Sequence, residues 1–320
     1  MSNIFAATKL TINQAATALL NGNLVAFPTE TVYGLGADAN NEKAILRIYE
    51  VKKRPKNHPI IVHISSEEII LKWARNIPDY AFLLARRFWP GPMTLILTRT
   101  KLAKDFITGG QDCVGLRIPN HKVAINLLAE FESLGGFGVA APSANLFGKL
   151  SPTTADAVAE ELGEQFNSKD FILDGGMCSV GLESTIVDCR FKQPKVLRAG
   201  AITNEMIEEV TGLKLVNDHI DTKIRVSGSL NSHYSPNADI YLEGIPSPGD
   251  GFIALSCVKT PKGAVRLASP EDDVQYAQIL YHALRQADKR SIKRVFVILP
   301  QLGGISTAII DRLERAAYRG

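Results

Sequence analysis

Lys52 and Arg54 stand two residues apart, as do Ser143 and Asn145. In extended backbone that spacing puts both members of a pair on one face. Lys52 also continues the i, i+3, i+4, i+7 face of Ile45, Ile48 and Tyr49, so it turns towards the interior of the fold. Pro55 biases Arg54 out of the helical region. Two cations aimed inward require an anionic partner, because an unpaired buried charge is costly. The alternative, a solvated basic helix end, fits Lys53 better than Lys52. Arg117 is a third cation, set in the apolar run Cys113-Val114-Gly115-Leu116-Arg117-Ile118-Pro119. Its planar fork matches a carboxylate or phosphate of a ligand, or a structural ion pair, and both readings stand at this point. His63 lies in another apolar run, where a histidine serves as a satisfied core residue or as a site residue. Ser143 has no histidine–acid pair beside it, which removes the hydrolase-nucleophile reading. Turn and capping chemistry is the ordinary alternative for Ser143 and Asn145.

These residues need a sheet to hold them. Residues 24–27 read as a short buried strand stopped by Pro28, which has no N–H to donate. The polar loop that follows, Thr29-Glu30-Thr31-Val32-Tyr33, runs into Gly34 and Gly36. Glycine there permits a positive φ or a close approach of backbone to a ligand. A polar cluster at the end of a buried strand is where open α/β sheets place ligands. The spacing further predicts helices over 11–22 (capped by Thr11), after Asn40 or Asn41, over 79–89, over 155–162 and over 203–212. Strands are expected over 59–64, 94–98, 113–119, from 138, over 171–174, 183–188 and 195–200. From about 214 to 238 periodicity fades into a linker that still carries Ser232-His233-Tyr234-Ser235-Pro236. Beyond it, strands over 239–243, 252–257 and 295–299 alternate with helices over 271–290 and 306–318, a second small α/β unit.

The whole chain sets outer limits. Its 320 residues are enough for two domains, and 45% hydrophobic with 22% charged residues is a globular composition. A net charge of +3 gives no global nucleic-acid or membrane footprint. Four scattered cysteines contain no CxxC pair, so neither a zinc site nor a disulfide framework is expected. No basic segment followed by an apolar core marks a secretory signal, and no apolar run approaches the roughly 18 residues of a membrane span. A cytoplasmic protein with no membrane partner is therefore expected.

Pro28-Thr29-Glu30-Thr31-Val32-Tyr33-Gly34-Leu35-Gly36 resembles the signature loop of the YrdC-like (Sua/YciO/YrdC) family. Lys52-x-Arg54 and Ser143-x-Asn145 are similar to the paired motifs of that family's nucleotide pocket. The blocks around Arg117, 183–188 and 197–200 resemble three more, and the linker and second unit resemble the long two-domain members. The resemblance covers essentially the whole chain. It implies a twisted open mixed α/β sheet with helices over 1–213, a linker or lid over 214–238, and a smaller Rossmann-like α/β domain over 239–320. It also implies an enzyme, a nucleotidyltransferase that makes threonylcarbamoyl-AMP and pyrophosphate from L-threonine, bicarbonate and ATP. Mg²⁺ would be carried with ATP, and the product would pass to threonylcarbamoyl-transfer proteins and tRNA.

By the same resemblance, ATP would meet Lys52, Arg54, Cys113, Ser143, Asn145, Ser151, Arg198 and Tyr234, the last as part of a lid. Lys52, Arg54, Ser143 and Asn145 would carry catalysis. Threonine would meet Thr29, Thr31, Tyr33, His63, Arg117, Ala141 and Ser184. One departure is visible: residues 226–232 are nearly uncharged where family linkers carry a basic run. Two other classes stay open from the sequence: an RNA-binding module with a basic cavity, and a related carbamoyl-adenylate-forming enzyme.

Overall fold

The computed structural model describes residues 3–216, 224–226, 228 and 234–318. Its larger sheet contains β1 (Ile4–Ala6), β2 (Val25–Phe27), β3 (Gly34–Asp38), β4 (Val62–His63) and β5 (Met93–Thr98). It continues with β6 (Cys113–Arg117), β7 (Val139–Ala140), β8 (Phe171–Asp174), β9 (Thr185–Asp188) and β10 (Lys195–Arg198). The spatial order is β1-β8-β2-β3-β7-β4-β6-β5-β9-β10, an open mixed sheet. β8 runs parallel to both β1 and β2, whereas β2–β3, β3–β7 and β5–β6 are antiparallel.

The β2–β3 hairpin holds the polar loop at its tip. Its register pairs Val25 with Gly36 and Phe27 with Gly34. The side chains alternate as a pleated strand requires. Val25 and Phe27 enter a core with Ile12, Leu19, Leu127 and Phe131, while Ala26, Leu35 and Ala37 enter the opposite core with Ile45, Ile48 and Trp73. The loop reading of residues 34–37 is thereby corrected. They form a strand, and Gly36 is required because Phe27 and Val139 crowd its face. A Cβ on Gly36 would lie 2.7 Å from Val139 Cγ1 and 2.8 Å from Phe27 Cε1.

The helix Lys9–Leu20 begins one turn before the expected cap. Thr8 is its N-cap, and Thr11 returns the bond to the Thr8 N–H at 2.9 Å, a capping box. Glu42–Lys52 starts at Asn41, buries Ile45, Ile48, Tyr49 and Lys52, and ends at Lys53 with φ 52°. Lys52 thus faces inward as its periodicity required. A helix left unassigned in the sequence, Lys122–Ser133, packs Leu127, Leu128 and Phe131 against Ile12, Ala15 and Leu19.

The smaller sheet contains β11 (Asp239–Tyr241), β12 (Gly251–Ile253), β13 (Val265–Ala268) and β14 (Arg294–Val297), ordered β11-β14-β12-β13 and parallel throughout. Helices Asp273–Lys289 and Ser306–Ala317 accompany it, giving the Rossmann-like character. β13 was not foreseen because Arg266 interrupts its apolar run. The fold absorbs that guanidinium on the carbonyls of Ala254, Leu255, Val258 and Ala268, at 2.7–2.9 Å. Val32, Leu150 and Leu182, carried by loops of the larger unit, join Tyr276, Leu280 and Leu284 in one apolar core. The two units therefore share a seam.

Gly36→Ala is expected to cost about 1–3 kcal/mol by overpacking the hairpin. Urea denaturation would show this as a lower midpoint at unchanged slope.

Candidate functional site

At the hairpin tip and the adjoining strand ends is a hollow of about 570 Å³, counting its mouth. Thr29, Thr31, Val32 and Gly34 form one wall, and Ile61, His63, Ala141, Pro142 and Ser143 another. Arg54, Arg117, Glu183, Ser184 and Arg198 supply most of its charge and polarity, and Gly228 and Tyr234 close it. Arg54 and Arg117 come from different elements, brought together because the chain leaves the helix at Lys53 and β6 ends at Arg117.

Each buried cation is held differently. Arg54 donates to the Pro59 carbonyl at 2.9 Å and lies 5.5 Å from the Phe147 ring centroid. Burial beside Arg198 pulls its pKa down to about 10, which leaves it charged at neutral pH. Arg117 meets Glu30 at 2.7 Å, both side chains being only 5% exposed. The contact is a close ion pair without the alignment of a hydrogen bond. Arg198 donates to the Ser184 carbonyl at 3.0 and 3.1 Å and to its hydroxyl at 3.2 Å. Lys52, fully buried, donates to the carbonyl of Ser143 at 2.6 Å and to that of Asn145. Burial, then the neighbouring Arg54, push its pKa well below the usual lysine range.

The neutral groups form short chains. Thr29 and Thr31 hydroxyls meet at 2.7 Å, and Thr29 donates onward to the Val32 carbonyl at 2.7 Å. Ser184 meets Thr94 at 2.8 Å. The buried His63 has its pKa pushed down to about 3 by desolvation and by Arg117, so its ring is neutral at pH 7.

The structure thus brings Thr29, Thr31, Arg54, His63, Arg117, Ala141, Ser143, Ser184, Arg198 and Tyr234 around one hollow. Five other expected site residues stand behind that lining. The Lys52 ammonium is occupied by the carbonyls of the turn that presents Ser143. The Asn145 amide donates to Leu146 and Lys149 carbonyls at 2.7 and 2.9 Å and so braces its own loop. Tyr33 donates to the Gly176 carbonyl at 2.8 Å, away from the hollow. Cys113 is packed among Ile96, Ile186 and Val226. Ser151 donates to Glu183 at 2.5 Å. Arg117 has an ion-pair partner in Glu30 and also lines the hollow. His233 and the rest of 229–233 lie outside the described residues. Among the described residues Glu183 is the charged lining residue that sequence reasoning missed, beside the uncharged Val32, Gly34, Ile61, Pro142 and Gly228. Its signal was present, a carboxylate next to Ser184 at the mouth of a strand, but nothing local shows that its partners come from the second unit.

Among the described residues no three His, Cys, Asp or Glu side chains gather as a metal site, and no helix is long and apolar enough to cross a membrane.

Two family models match the chain. One, the Sua5/YciO/YrdC model described as "Telomere recombination", matches residues 17–200. The other, "Threonylcarbamoyl-AMP synthase, C-terminal domain", matches residues 202–318. A threonylcarbamoyl-AMP synthase of Pyrococcus abyssi is 37% identical over 330 aligned positions, covering 96% of this chain and 94% of the relative. One of Bacillus subtilis is 36% identical, covering 96% and 92%. The crystal structure of P. abyssi Sua5 complexed with L-threonine superposes with a TM-score of 0.86 at 34% identity, over 98% of this chain and 96% of that one.

The depressed pKa of His63 fixes a pH dependence. Between its ordinary value of 6.5 and about 3 the unfolded chain binds a proton that the folded chain refuses. Stability is therefore complete above pH 6.5 and falls as pH drops, by up to about 1.4 kcal/mol per pH unit. A His63→Gln variant is expected to lose that slope between about pH 6.5 and 4.5, above the range where most carboxylates titrate. Chemical denaturation across that window measures it.

Proposed function

The chain belongs to the YrdC-like family, in the two-domain form of the threonylcarbamoyl-AMP synthases, and from that membership we propose how its hollow carries the reaction. The amine of L-threonine and bicarbonate condense to a carbamate with loss of water. A carbamate oxygen then attacks the α-phosphorus of ATP, the bond to the β-phosphate oxygen breaks, and pyrophosphate leaves. Mg²⁺ arrives as part of the ATP substrate. The observation that carries this reading is the convergence of Arg54, Arg117 and Arg198 with Ser143, Ser184 and Tyr234 around one buried hollow. Bringing a carboxylate-like nucleophile against a triphosphate is an electrostatic problem, and fixed cations in a water-poor site are the means that solve it.

Arg54 and Arg198 take the phosphates, and Ser143 donates to the nucleotide. Lys52 acts through the turn it holds and is a positioning residue, as is Asn145. Arg117 takes the threonine carboxylate while Glu30 steadies it, with Thr29, Thr31, His63, Ala141 and Ser184 shaping that end. Tyr33 anchors the loop from behind. Tyr234 closes the nucleotide end as part of a lid carried by residues 214–238, between a catalytic domain over 1–213 and a small domain over 239–320. The product, a reactive mixed anhydride, passes in the cytoplasm to proteins that transfer the threonylcarbamoyl group to tRNA.

Pyrophosphate release should require ATP, L-threonine and bicarbonate together, and labelled bicarbonate should enter an adenylate. Release without threonine or bicarbonate would refute the reaction.

Two variants test the assignments. Arg117→Met alone would strand a buried carboxylate, so it is paired with Glu30→Gln. The double variant is expected to raise the KM for threonine about ten- to a hundredfold, the equivalent of a charge-assisted hydrogen bond, with the KM for ATP nearly unchanged. Arg54→Ala should do the reverse. Equal effects on both substrates would remove these residues from their assigned ends.

A further inference from the structure

Glu183 poses a problem that the reaction does not explain. It is a carboxylate in the wall of a hollow built for anions, and a bare negative charge there would oppose a polyphosphate. Burial favours its neutral form, yet the guanidiniums of Arg312 and Arg198 and the Ser151 hydroxyl overcome this and hold its pKa down to about 2.

Most of that compensation comes from the second unit. Arg312, on the helix Ser306–Ala317, has a side chain with no exposure and donates from Nε to Glu183 Oε2 at 3.0 Å. It also donates to the Ala199 carbonyl at 2.9 Å, beside Arg198, and pairs with Asp311 on its own helix. Tyr281, on the helix Asp273–Lys289, donates its hydroxyl to the same carboxylate at 3.0 Å. The same two residues hold Tyr234. Its ring stacks on Tyr281 with centroids 5.6 Å apart and planes at 23°, and the Arg312 guanidinium lies 5.2 Å from its centroid. Tyr234 adopts φ 61°, a left-handed conformation that a non-glycine residue keeps only when its surroundings impose it.

We propose that Arg312 and Tyr281 complete the nucleotide end of the hollow from the second unit, neutralising Glu183 and forming the platform that holds Tyr234 over the site. Both are positioning residues. Arg312 cancels the one lining carboxylate among the described residues, so Arg198 keeps its charge for the ligand. The small unit is on this account a working part of the nucleotide pocket. The proposal rests on the hollow being the ATP site.

The test is Mg–ATP binding to the full chain by calorimetry, which does not depend on turnover. Arg312→Met is expected to weaken binding by about tenfold or more, by leaving Glu183 without its ion-pair partner beside the ligand. Arg312→Met combined with Glu183→Gln is expected to return the Kd to within about threefold of the parent, because the repelling charge is gone. Arg312→Lys, which keeps the charge but loses the fork, should fall between. Melting temperatures are measured for each variant. A merely structural role would lower them without any recovery of ATP affinity in the double variant. Unchanged ATP binding in Arg312→Met, or a double variant that binds ATP no better than the single, overturns the proposal. Parent protein that binds ATP yet releases no pyrophosphate with all three substrates would refute the assigned reaction instead, leaving this inference to the binding data.

Discussion

Four buried cations, Lys52, Arg54, Arg117 and Arg198, crowd one end of the larger sheet, and much of the architecture answers their mutual repulsion. Charges taken out of water must be compensated by fixed dipoles or counter-charges. The chain uses a different device for each. Lys52 draws on two carbonyls of a turn, Arg54 on a carbonyl and an aromatic face, Arg117 on a buried glutamate, and Arg198 on the Ser184 backbone. The elements that supply those partners are distant in sequence. The cations therefore help to fix the relative positions of the hairpin loop, the end of β6, the Ser143 turn and the strand entering at Ser184.

Sequence periodicity read the fold well where a segment buries one face. The inward turn of Lys52, a cap at Asn40 or Asn41 (the structure uses Asn41) and the stop at Gly212 followed from residue type and spacing. It failed where a segment's reason lies elsewhere in the chain. Gly34-Leu35-Gly36-Ala37-Asp38 has the composition of a turn, yet it pairs with β2 and β7 as a strand, and the bulk of Phe27 and Val139 explains the glycine at 36. Val265–Ala268 hides its strand behind an arginine whose partners are four backbone carbonyls.

The site was legible to a similar depth. Residue types and spacing picked out the inward cations and the Ser143–Asn145 pair, and the rest of the lining was drawn from family likeness. Whether a side chain touches the hollow or braces it from behind is a matter of rotamer and hydrogen-bond partner. Lys52, Asn145 and Tyr33 each donate to backbone carbonyls behind the lining. Glu183 was missed because its ion-pair partner, Arg312, lies 129 positions along the chain.

Val32 and Tyr33 are neighbours in the chain and belong to different cores. Tyr33 is embedded in the core of the larger sheet, and Val32 in the one built around the helix Asp273–Lys289. The loop that carries Thr29 and Thr31 is thus anchored in both cores. Loss of the smaller unit would therefore strip the loop of one anchor even while the ten-stranded sheet stays folded.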